Sequence, residues 1–111
     1  MHRSILLFCA VAAAACAKKE LTTESTTAAQ RGAESVGAEQ VPQAALALQL
    51  SREHLARAQE LYDDGDKDEA KSMLMRAEAD AELATALAKA DDEKTMANAA
   101  MEEVRKVQSS Y

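Results

Sequence analysis

An all-α fold is what this sequence predicts: an extended antiparallel helical hairpin of coiled-coil character, with a weaker N-terminal helix ahead of it. Three observations predict it. Between Pro42 and Asp64 there is no further proline and no glycine, and from Asp66 to Tyr111 there is neither. Both stretches are rich in Ala, Leu, Glu, Gln, Lys and Arg, which pay little side-chain entropy in a helix. In both, apolar residues recur at intervals of three and four, the period of one helix face.

The chain has 111 residues, so it holds one domain at most. Its first fifteen residues read as a targeting segment. A basic "MHR" precedes the twelve-residue apolar run Ser4 to Ala15, which ends in small residues. Twelve residues are too few for a bilayer, which needs about twenty. A short basic start, a short apolar run and a small-residue end make a secretory signal. Its end resembles the lipobox of bacterial lipoproteins: Ala13, Ala14 and Ala15 precede Cys16, although most lipoboxes carry Leu where Ala13 stands. That resemblance implies diacylation of the Cys16 sulfur, cleavage before it and acylation of the new amine. Cys9 would be lost with the signal, leaving one cysteine. Acylation would protect a lone thiol in an oxidising compartment, and several acyl chains suffice for stable anchoring. Ordinary cleavage and release to the periplasm is the alternative. Ala17 and Lys18 after the cysteine, with no Asp among them, resemble the sorting signal for the outer membrane, periplasmic face.

Only Arg3 of the 13 basic residues precedes Cys16, and none of the 19 acidic ones does, so the chain from Cys16 carries a net charge of about −7. Nucleic acid demands the opposite balance and is not an expected partner. Residues 16–41 are polar, rich in Thr and Ala and weakened by Gly32 and Gly37. They read as a tether with a weak helix over Thr26 to Ser35. Residues 42–108 read as the helical hairpin domain. Pro42 suits a first helical turn. Ala44, Leu48, Ser51, Leu55, Ala58 and Tyr62 form one face, which Leu46 and Leu50 broaden.

The stretch "YDDGDKDEA" (Tyr62 to Ala70) joins the two long helices. Asp64, Asp66 and Asp68 alternate like the first donors of a calcium loop. The sixth position is then Glu69 where glycine is required, and the twelfth is Met75 where a bidentate Glu is required. A turn explains the residues without a metal. Gly65 suits a left-handed position just past a helix end. Asp66 suits an N-cap with Glu69 completing a capping box. No metal ligand set and no cofactor is expected. The second long helix is predicted from Lys67 to about Val107. Ala70, Leu74, Ala77, Ala81, Ala84 and Ala88 form a stripe of mostly small residues that lets another helix come close. "DDE" at Asp91 to Glu93 interrupts it, and Ala97, Met101, Val104 and Gln108 resume it. Folding the chain at Gly65 sets position i opposite about 130 − i, since both arms rise equally per residue. Glu93 would then face Gly37, and Val104 would face Thr26 and Thr27.

"LSREHLARAQEL", "GDKDEAKSML" and "RAEADAELATALAKA", between Pro42 and Ala90, resemble domain-of-unknown-function family 4398. The recognisable positions include Leu55, Ala58, Gly65, Ala70, Ala77 and Asp80. The resemblance implies a short bacterial envelope lipoprotein and brings no catalytic residue with it. Some members carry a peptidoglycan-binding domain of the outer-membrane-protein-A type. The sequence ends at Tyr111, so no such domain is expected here. "LYDDGDKDEAKSMLMRAEA" is also tetratricopeptide-like in its turn and alanine spacing, but one copy does not make a repeat array.

Few residues promise chemistry. His54 is the only histidine after Cys16, and no partner cluster is legible around it, so it reads as a solvated or boundary residue. Glu53 and Arg57 are spaced to pair across one turn. Glu78 and Glu82 share that spacing with like charge, which implies exposure. Asp80, near the alanine stripe, either accepts a bond from the facing helix or is solvated. No nucleophile, base and oxyanion site assemble. The expectation is a lipid-anchored structural or adaptor protein of the cell envelope, without catalytic activity. The alternative is an accessory or binding subunit of an envelope transport or assembly complex. Expected partners are membrane lipid through Cys16 and, because a helical hairpin buries only a narrow stripe, a second copy or another envelope protein.

Overall fold

A computed structural model of the chain describes residues 21–111. The signal segment and Cys16 lie outside them. Three α-helices run in the order α1 (Thr23–Ser35), α2 (Pro42–Asp63) and α3 (Lys67–Ser109), with a single turn of 3₁₀ helix at Ala38–Gln40 between the first two. Among the described residues there is no strand, and no helix is long and apolar enough to cross a membrane. The predicted all-α hairpin with a helix ahead of it is the observed architecture.

α1 starts at Thr23, three residues earlier than the composition suggests. Thr22 is its N-cap: its hydroxyl accepts the Ser25 N–H, and the Ser25 hydroxyl accepts the Thr22 N–H, both at 3.0 Å. This is a capping box closed by Ser instead of the usual Glu or Gln. Gly37, in the left-handed region at φ 83°, ends the helix and turns the chain into the 3₁₀ turn.

α2 begins with Pro42 in its first turn. It ends in a Schellman motif. Gly65 has φ 89°, its N–H donates to the Tyr62 carbonyl at 3.1 Å, and the Asp66 N–H donates to the Leu61 carbonyl at 2.9 Å. Gly65 is thus where the turn was predicted to need it. The expected Asp66 cap is not formed. Asp66 has ψ 64° instead of the extended value that aims an N-cap side chain at the helix, and it makes no side-chain capping bond. Its carbonyl accepts the Ala70 N–H instead, while Asp68 and Glu69 complement the positive end of α3.

The core is a seam of small residues. Ala44, Ala47 and Ala58 of α2, with Ala77, Ala81 and Ala84 of α3, are buried. Leu48 and Leu61 are the large apolar side chains among the buried set. Small contact residues set the close end of the usual interhelical spacing. α2 and α3 share the largest interface, and α1 lies mainly against α3.

Four side chains sit differently from expectation. Tyr62 is exposed and Leu61 takes the buried place, because the apolar face rotates as α2 winds down. The Lys67 ammonium lies 5.8 Å from the Tyr62 ring centroid, a cation–π contact on the outside of the turn. Leu46 and Leu50 are exposed instead of broadening the buried face. Glu78 is buried, not exposed.

The largest departure concerns α1. The half-length register would lay it along the far end of α3. Instead the chain reverses at Gly37–Val41, and α1 packs back into the groove of the hairpin. Ala33 and Ala38 join Ala44, Leu48, Ala84 and Ala88 in one cluster. Consequently every residue from Lys89 to Tyr111 is exposed.

Candidate functional site

Two features stand out: a polar node where the three helices meet, and an arm of α3 that nothing covers. At the node, Ser51 of α2 donates its hydroxyl to the Ala77 carbonyl of α3 at 2.6 Å and accepts from the Gln30 amide of α1 at 2.9 Å. Ser51 is fully buried and Gln30 nearly so. One hydroxyl therefore ties all three helices, and its position inside an alanine seam makes those bonds costly to lose. One turn on, His54 and Asp80 meet at 2.7 Å between His Nδ1 and a carboxylate oxygen. The sequence showed no partner for this histidine. The register of α2 on α3 supplies one, and Asp80 is paired with the facing helix and not merely solvated.

A more exposed clamp holds α1 and the 3₁₀ turn against α2. The Arg52 guanidinium donates to Glu34 at 2.6 Å and to Glu39 at 3.1 Å. The hydrogen bond to Glu34, then that to Glu39, raises the guanidinium above its already high ordinary value. With both partners half-exposed to water, the clamp contributes below about 1 kcal/mol. The predicted Glu53–Arg57 pair does not form. Glu53 accepts from Gln49, and Arg57 donates to Glu60.

At the turn end of the hairpin an open groove of about 790 Å³ lies between α2 and α3, lined by Leu21, Ala58, Tyr62, Lys67, Ala70 and Leu74 among others. It continues the seat of α1 beyond Thr23. Among the described residues there is no group of three or more His, Cys, Asp or Glu placed to hold a metal ion.

The arm is the part of α3 beyond Ala88. The face that packs in the hairpin turns polar there: three or four residues on from Ala88 come Asp91, then Thr95, Asn98 and Glu102. The predicted resumption of one stripe at Ala97, Met101 and Val104 is not a resumption. Those residues lie on another face and are exposed. Met96, Met101, Val104 and Val107 are each more than half exposed. The arm from Lys89 to Ser109 is about 30 Å long at 1.5 Å per residue.

Fold and surface together define a class: a short three-helix protein whose longest helix outruns its partners and presents an apolar face. Within that class, the chain belongs to the family described as Domain of unknown function (DUF4398), whose pattern matches residues 21–100. The match takes in α1 as well as the hairpin that carries the legible motifs. Neither a curated protein nor a solved structure matches the chain significantly.

Proposed function

We propose that this protein is a lipid-anchored structural or adaptor module of the cell envelope, without catalytic activity, held through Cys16 at the periplasmic face of the outer membrane. The observation that supports the adaptor role is the arm of α3. A surface helix earns its stability by burying an apolar face, and the face on this arm is left for a partner. The arrangement of the anchor agrees with that use. α1 starts beside the turn end of the hairpin, and Cys16 precedes it by a few residues. A membrane at Cys16 would therefore lie near the Tyr62–Lys67 end, and the arm would project away from it.

The anchor is tested by mass spectrometry of the membrane fraction. The expected mature species begins at Cys16 and carries three acyl chains. Cys16→Ser would then leave the precursor uncleaved at this position and without acyl chains. A soluble product whose Cys16 thiol is free would rule out the anchor.

A further inference from the structure

The exposed face of α3 is longer than the arm. Ala79, Leu83, Ala86, Ala90, Glu93 and Ala97 follow each other at alternating steps of four and three, Ala100, Val104 and Val107 continue the alternation, and Tyr111, two residues past the end of α3, falls at the next step. This is an a/d heptad seam of roughly five repeats, a length that argues for a coiled coil. All ten residues are exposed. At about 100° per residue, the seam lies about 160° around the helix from the buried Ala77, Ala81 and Ala84. α3 thus carries two opposed seams, one filled by α1 and α2 and one open.

We infer that the open seam is a self-association surface, taken by α3 of a second copy running antiparallel. Charge and size favour this occupant and direction. In a parallel pair, the g position Lys89 would lie beside Lys94 of the second copy, and Glu93 would face Glu93 in one core layer. In an antiparallel pair, a positions face d positions, g faces g and e faces e. With the whole seam overlapped, Ala79 receives the large Tyr111 ring of the second copy, and Ala86 receives Val104. Ala90 faces Ala100, and Glu93 faces Ala97 in place of another glutamate. Lys89 then meets Glu103 of the second copy twice over, once in each direction. On the other flank Met101 meets the outer edge of Leu87, whose inner side packs on the hairpin core. Two contacts are unfavourable: Lys94 with its own copy, at the rim where water screens it, and the Glu93 carboxylate in a layer with Ala97, where its charge has to reach past the seam to water. A two-fold, isologous contact of this kind closes on itself and stops at a dimer.

The inference goes beyond the adaptor reading and does not depend on lipidation. Its test uses the full chain with Cys9→Ser and Cys16→Ser, in mild non-ionic detergent. Sedimentation velocity is expected to give a dimer, and Val104→Glu to give a monomer with unchanged helicity per residue. Direction is read by disulfide trapping, which needs Cα atoms within about 7 Å. Ala90→Cys and Ala100→Cys chains carrying tags of different length, oxidised together, are expected to form the mixed dimer, while neither links to itself. Self-linking of each variant would mean a parallel pair and overturn the assignment. A monomer at the highest concentration measured, with no linking, would overturn self-association altogether.

Discussion

From Lys67 to Ala88, α3 gives one side to α1 and α2; from Lys89 to Ser109, every residue of the same uninterrupted helix is exposed. Both stretches are rich in alanine and charge, and neither contains glycine or proline. What separates them is which face carries the small and apolar residues. In the first stretch Ala77, Ala81, Ala84 and Ala88 lie in line with the hairpin. In the second, that line holds Asp91, Thr95, Asn98 and Glu102, and the apolar residues have moved to the back of the helix. Composition decides that α3 is helical throughout. Phase decides where the hairpin stops.

Enlarging an alanine should break this comparison most sharply. Ala84 is fully buried between helices that approach through alanine. Ala84→Leu forces them apart and is expected to cost about 3 kcal/mol or to prevent folding, at the upper end of overpacking penalties. Ala97→Leu makes the same change on the exposed face, and both are compared in the Val104→Glu background so that pairing between copies does not contribute. The Ala97 change should alter the stability of the hairpin by no more than about 0.5 kcal/mol. Urea denaturation followed by circular dichroism measures both. Equal losses would mean that the far stretch packs on the hairpin after all.

The polar node predicts an intermediate effect. Ser51→Ala removes the acceptor of the buried Gln30 amide and the donor to Ala77, and leaves Gln30 to find water or go unpaired. The expected loss is about 1–3 kcal/mol. Changing Gln30→Leu in the Ser51→Ala background should recover part of it, because the stranded amide is then gone. A double-mutant cycle in urea tests this. Strict additivity would mean that the two side chains are not coupled as their 2.9 Å hydrogen bond implies.

These contacts show what a sequence conveys of such a fold and what it withholds. Local signals were legible. Pro42 opens α2, Gly65 closes it, and the absence of breakers after Asp66 gives the long α3. Signals that depend on the third dimension were not. Gln30 reads as one polar residue of a weak helix until α1 folds back and puts it on Ser51. His54 reads as lone until the register brings Asp80 across. Glu78 looks exposed by charge spacing, yet its aliphatic stem suits the edge of an alanine seam. The Thr22–Ser25 box is local but uses an uncommon residue at its third position. The second seam was in plain view at steps of four and three. It is hidden because the apolar residues of two opposed faces, taken along the sequence, look like one interrupted stripe. Cys16, the one expected site residue, lies outside the described residues.

The smallest expected effects come from two glycines whose surroundings are equally open but whose backbones differ. An added Cβ meets nothing within 4 Å at either Gly32 or Gly65, so packing does not distinguish them. Gly32 lies within α1, and Gly65 has φ 89°. Alanine at a helical position removes the conformational entropy that glycine loses on folding, so Gly32→Ala should stabilise by about 0.5–1 kcal/mol. At Gly65 an L side chain meets the following carbonyl in the left-handed region, so Gly65→Ala should destabilise by about 1 kcal/mol. A β-branched residue suits that region still less, and Gly65→Val should cost more. Thermal unfolding of the three variants reads both signs at once. If Gly65→Ala were as stable as Gly32→Ala, the Schellman turn would not be what joins α2 to α3. The two helices would then have to be held in register by the alanine seam and the Ser51 node alone.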